Sequence, residues 1–214
     1  MKLKLAALLL LGFVLSAPHS MFADQLTLVS ATGSNVGGVI TYPYNFKING
    51  TTNASLMCLD YTREVTVGES WQVSVSAIPL DFSSTSINYR AAALIYSQLG
   101  NYSTSDLQFA AWGLFDHTSV VNNPGYNSTV QYMDSVALQY AQDQSIINSG
   151  FYSQFSLYIP TSDTTGWTSG TPQRFIGAAP AVAPTPEPSS LMLLGTGLLG
   201  TAGILRRKYA AKNA

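Results

Sequence analysis

Apolar positions follow two periods in turn along the middle of this chain. Gln25 to Ser30 alternates weakly and predicts a first strand, followed by a glycine-rich turn through Gly33-Ser34-Asn35 and Gly37-Gly38. Tyr42, Tyr44, Phe46 and Ile48 then alternate with Pro43, Asn45 and Lys47, as a half-buried strand requires. Pro43 lacks an N–H for a ladder, which places it at an edge or at a strand start. After the Asn49-Gly50 turn, Ser55 to Tyr61 puts Leu56, Cys58 and Asp60 on one face and Met57, Leu59 and Tyr61 on the other. Arg63–Val67 and Trp71–Ile78 predict a hairpin across Gly68-Glu69-Ser70.

Beyond Pro79 the period becomes helical. Ile87, Ala91, Leu94, Ile95 and Leu99 fall on one stripe, with Gly100-Asn101 as a stop. Ser103 and Asp106 have capping-box spacing ahead of a second helix, whose stripe is Leu107, Ala110, Ala111, Leu114 and Phe115. Gln108 lies beside that stripe, one turn before Trp112. The short connection predicts that these two helices pair antiparallel. A third helix is predicted from Ser128 to about Ser145, ended by Gly150, and alternation returns over Phe151, Phe155, Leu157 and Ile159, with a last short strand at Arg174–Gly177. Strands, about three helices and strands again define an α+β class: a β-sandwich or barrel with a helical insertion.

The two ends of the 214-residue chain read differently. Met1-Lys2-Leu3-Lys4 and the apolar run Leu5–Leu15 have the form of a secretory signal peptide, residues 1–23, cleaved after Ala23. The domain then spans 24–177, an Ala/Pro-rich linker 178–188 ends in Pro186-Glu187-Pro188 after Thr185, and residues 189–214 hold the apolar run Leu191–Leu205 with Arg206-Arg207-Lys208 behind it. That run is a short transmembrane helix, its basic flank cytoplasmic by the positive-inside rule. Pro-Glu-Pro, short hydrophobic helix and basic tail in this order resemble the PEP-CTERM sorting signal of Gram-negative bacteria. The resemblance implies export, anchoring in the inner membrane, processing near Pro-Glu-Pro by exosortase, a membrane protease, and an end state at the cell surface or in an exopolysaccharide matrix.

With the ends removed, the body keeps four basic residues, Lys47, Arg63, Arg90 and Arg174, against ten acidic ones, a balance of −6. No basic patch is left to meet a phosphate backbone, which disfavours nucleic acid as a partner. Cys58 is the chain's one cysteine, so no disulfide can form within it. An exported lone thiol is buried and inert, paired between chains, or chemically occupied.

Gln108 begins the word Gln108-Phe109-Ala110-Ala111-Trp112, and Cys58 follows Met57 near a strand end. Over residues 36 to 118 this resembles the thioester domains of bacterial surface proteins, whose glutamine sits in Thr-Gln-x-Ala with a Trp shortly after; Leu107 stands at the threonine's place. The resemblance implies an internal Cys58–Gln108 thioester, a stored electrophile that captures an amine or hydroxyl once, making the protein an adhesive and not an enzyme. Trp112, Phe109, Tyr61 and Ala110 would shield the bond from water, and His117 would accept a proton from the incoming nucleophile.

Two other readings stay open. Cys58 could serve a cysteine hydrolase with His117 as base and Asp116 or Asp134 as its orienter. Alternatively the chain is a structural matrix protein, its Ser/Thr/Asn/Tyr-rich body suited to contact with polysaccharide. No cofactor or metal is implied: one Cys and one body His make no closed zinc shell, and Asp60, Glu64 and Glu69 read as solvated acids.

Overall fold

The structure is a computed structural model that describes residues 23–161 and 171–180. The signal peptide except Ala23, the linker beyond Pro180 and the sorting helix lie outside the described residues. The chain divides into two units, Met1–Ala178 and Ala179–Ala214, and the fold below belongs to the first. No helix among the described residues is long and apolar enough to cross a membrane.

Six strands close an antiparallel barrel in the order β1-β4-β5-β8-β7-β6. They are β1 (Asp24–Ala31), β4 (Tyr44–Ile48), β5 (Thr52–Cys58), β6 (Ser70–Ala77), β7 (Phe155–Pro160) and β8 (Phe175–Ala178), with the small hairpin β2 (Asn35–Val36) and β3 (Val39–Ile40) outside it. Between β6 and β7 are inserted α1 (Ser84–Tyr96), α2 (Thr104–Val120), α3 (Ser128–Tyr140) and α4 (Gln144–Asn148). The class is α+β, and of the two β architectures expected it is the barrel.

Register sorts the side chains. Leu26 lies opposite Ile48 on one side and Trp71 on the other, Leu28 opposite Phe46, and Cys58 opposite Phe175, so these residues share the inner face. Phe46 packs edge-on against both Trp71 and Phe175, at 5.7 and 4.8 Å between ring centres. Gly177 faces inward too: a Cβ there would come within 2.4 Å of Leu56, so only glycine lets that leucine fill the barrel. The alternate positions Met57 and Ile176, paired across β5 and β8, are also fully buried. Burial on both faces explains why Leu56 to Asp60 is buried without a break.

The helices depart from a one-stripe pattern for the same reason. Leu107 through Leu114 of α2 are all buried, and three consecutive alanines of α1, Ala91–Ala93, are at zero exposure. A helix covered on most sides carries a weak periodic signal.

Four expectations are corrected. Arg63–Val67 forms no strand; β6 pairs instead with β1 and β7, and Gly68 N–H bonds to the Leu28 carbonyl across the open turn. The third helix ends at Tyr140, and the residues after it start a fourth, five-residue helix whose first turn is capped by the Asp143 carboxylate. Ser103 stands at the N-cap of α2, but its hydroxyl meets Ser105 and caps nothing. Asp60 is not solvated; it is 3% exposed and ion-paired with Arg174.

Candidate functional site around Cys58 and Gln108

The β4–β5 ladder ends at the Tyr44–Leu56 pair. Continuing that register would set Tyr42 against Cys58, but β4 begins only at Tyr44, so the peptide edge of Cys58 is left without a strand partner. The Gln108 side chain fills the vacancy. Its Nε2 donates to the Cys58 carbonyl at 2.7 Å, and its Oε1 accepts the Cys58 N–H at 3.3 Å. A carboxamide has the donor and acceptor of a peptide group, which is why it completes a sheet edge.

Both residues are at zero exposure. Trp112, one turn beyond Gln108 on α2, covers them and meets Phe109 and Tyr61 edge-on, at 5.2 and 5.3 Å between ring centres. Tyr61 is held twice over: its backbone N–H donates to the Asp116 carboxylate at 2.7 Å, and its hydroxyl accepts from Asn123 Nδ2 at 3.0 Å. Asn123 also donates to the Gly37 carbonyl, and a Cβ on Gly37 would collide with it. A non-helical backbone at Asp116 (φ −127°, ψ 39°) kinks α2 where that carboxylate reaches Tyr61. Ala110 is fully buried in the same helix.

The Cys58 thiol donates to the Asp60 carbonyl at 3.3 Å. Burial pushes it up to about 12. The Trp112 indole, whose Nε1 has no ordinary hydrogen-bond partner, favours the charged form and offsets part of the rise; the Asp60 carboxylate adds to it. At neutral pH the group is therefore a thiol.

Asp60 anchors the strand end beyond Cys58. Arg174 grips its carboxylate with both Nε and Nη2, and the Arg174 backbone N–H donates to the same group. The guanidinium also donates to the Tyr89 hydroxyl at 3.0 Å and lies 4.9 Å over the Phe115 ring. Gln173 Nε2 donates to the Asp60 and Arg63 carbonyls, and its Oε1 is buried without a partner. Together these tie β8, the segment after β5 and the helices α1 and α2 around one corner. A cleft of about 220 Å³ opens beside it, lined by Tyr44, Tyr61, Trp112, Arg63, Glu64 and Gln173.

His117 is not brought to this pair. It is exposed near the end of α2, its Nδ1 3.2 Å from the Tyr126 hydroxyl, which itself donates to Asp134. Of the two orienting acids considered for a hydrolase, Asp116 is bound to Tyr61 and Asp134 to Tyr126. Asn123, Arg174 and Gln173 were not marked as parts of the site by the sequence, and Asp116 was marked only as an orienter of His117, whereas it holds the Tyr61 N–H. Only Arg174, one of four cations in an acidic body, carried any signal there.

Residues 184–208 match the model of the PEP-CTERM protein-sorting motif. The motif implies export, membrane anchoring before processing, and exosortase as the processing protease. No curated protein matches the chain. Three chains of solved structures match it, and two of them are as follows. One is the N-terminal domain of the Streptococcus pyogenes pilus tip adhesin Cpa, at 11% identity over 76% of this chain and 96% of that one, TM-score 0.39. The other is the N-terminal thioester domain of the fibronectin-binding protein SfbI from Streptococcus pyogenes, at 10% identity over 75% of this chain and 95% of that one, TM-score 0.35.

Proposed function

We propose that the mature protein carries a Cys58–Gln108 thioester and uses it once, to attach itself covalently to an amine or hydroxyl on a partner at the cell surface or in an exopolysaccharide matrix. The observation that carries this reading is the docking of the Gln108 carboxamide on the peptide groups of Cys58, the chain's one thiol, with both residues fully buried. In forming the bond, Cys58 Sγ attacks Cδ of Gln108, the C–N bond breaks, and the thiol proton leaves on the departing nitrogen as ammonia. The Cys58 N–H already bonds to Oε1, where negative charge develops, so the nucleophile's own peptide polarises its target. An incoming amine later takes the acyl carbon as an amide and returns the thiol.

The same burial that weakens the thiol as an acid makes it a sluggish leaving group, which protects the stored bond. Trp112, Phe109 and Tyr61 keep water out, and the adjoining cleft gives a partner's side chain its approach. Acting once per molecule, the protein is a cross-linker and no turnover enzyme.

Intact mass of the protein from its native host tests this. A Cys58–Gln108 bond lowers the mass of the processed chain by one ammonia, Gln108→Ala restores it, and methylamine adds one methylamine to the bonded form. A wild-type mass equal to that of the sequence removes the proposal.

A second reading has its own support. The two hydrogen bonds of Gln108 complete a sheet edge, which is a sufficient structural role. On that reading the chain is a sorted matrix component without a reactive bond, and Cys58→Ala keeps full matrix retention.

A further inference from the structure

A groove of about 320 Å³ runs along the helical face between α1 and α3, away from Cys58. Buried Ile95, Leu107 and Ala137 form its floor. Its rim is Tyr102, Tyr132 and Tyr140, which are 54%, 69% and 50% exposed. These are all the exposed tyrosines among the described residues, and none of their hydroxyls makes a hydrogen bond there. Gln98 and Thr129 supply further polar groups, and no charged side chain lines the groove, although the body carries a balance of −6.

Gathering every exposed tyrosine around one apolar floor is not what solubility favours. The chemistry on offer is a set of ring faces, free hydroxyls and two neutral polar side chains. An apolar helix laid in the groove would desolvate those hydroxyls without giving them partners, which is costly. A sugar chain answers both halves: its C–H faces stack on the rings, and its hydroxyls pair with tyrosine, Gln98 and Thr129. Absent charge in the lining selects a neutral ligand and, in an acidic body, disfavours an anionic one. Tyr132 and Tyr140 are two helical turns apart, about 12 Å along α3, longer than a single sugar ring.

We propose that this tyrosine-rimmed groove binds a neutral polysaccharide chain. The site is independent of the thioester and goes beyond it: reversible glycan binding would hold the protein in a matrix whether or not a covalent bond follows.

Affinity electrophoresis of the full chain in mild detergent, through gels containing dextran, soluble starch or xyloglucan, tests the groove, with alginate as the anionic control. Retardation by at least one neutral polymer is expected. Tyr132→Ala/Tyr140→Ala should weaken it about tenfold or more, whereas the double Phe variant, which keeps the rings, retains most of it. Cys58→Ala should leave it unchanged, which separates this result from any failure of the covalent reading. No retardation by any neutral polymer, retardation by alginate alone, or retardation insensitive to the tyrosine changes overturns the proposal. So does concentration-dependent dimerisation that the alanine changes abolish, which would make this face a contact between copies of the chain.

Discussion

Gln108 stands against Cys58 as a strand residue would, bonding to the N–H and the carbonyl of the same peptide edge. Removing the side chain orphans two buried backbone groups whether or not a covalent bond ever forms. In a Cys58→Ala background, which cannot make a thioester, Gln108→Leu should therefore cost roughly 2–4 kcal/mol in chemical denaturation, with an unchanged denaturant slope. A cost below half of that would mean that water or a backbone shift repairs the edge.

The proposed bond survives only while water is excluded, and Trp112 is the largest group over it. Trp112→Leu keeps an apolar cover but leaves a gap beside Tyr61 and Phe109. Mass spectra taken over days should show the ammonia deficit disappearing in the variant, replaced by the mass of a glutamate at 108 with a free Cys58 thiol, while wild type stays unchanged. Equal persistence in both proteins would assign the shielding elsewhere.

The Asp60–Arg174 pair joins the segment two residues past β5 to the residue that leads into β8, with both partners largely buried. Breaking one side leaves a charge without its counterpart, so Asp60→Asn should lose about 2–4 kcal/mol of stability. Asp60→Asn/Arg174→Met should lose less than the sum of its single changes, and a thermodynamic cycle by denaturation measures the difference.

How far the sequence revealed all this varies by element. Tyr44, Phe46 and Ile48 alternate because the outer face of β4 is open, so the strand was legible. β5 and α2 were harder, since Leu56–Asp60 and Leu107–Leu114 are buried on successive residues and show no single stripe. Cys58 and Gln108 could be paired from their local words alone. The frame holding them could not: Asp60 meets Arg174 across 114 residues, and Asn123 meets Tyr61 across 62. Asp60 looked solvated because its neighbours Glu64 and Glu69 are acidic, and its partner Arg174 lies far along the chain although it is in contact in the fold.

Asp134 sets the pH dependence of the helical layer. Burial raises its carboxyl from the usual range to about 7, against the opposing pull of the Tyr126 hydroxyl, and its Oδ1 is buried without a partner. Gly113 makes the room: a Cβ there would lie 2.2 Å from the carboxylate. A carboxyl raised on folding holds its proton in the native state after the unfolded chain has lost it. Its contribution is therefore complete below about pH 4 and is lost as pH rises to about 7, beyond which it is flat. Asp134→Asn, with the same shape and no charge to bury, should raise the melting temperature at pH 7.5 and remove most of the decline between pH 4 and 7. The gain at neutral pH should be of order 2 kcal/mol. Thermal melts of both proteins across that range check it, and parallel curves for the two would mean that Asp134 is ionised throughout.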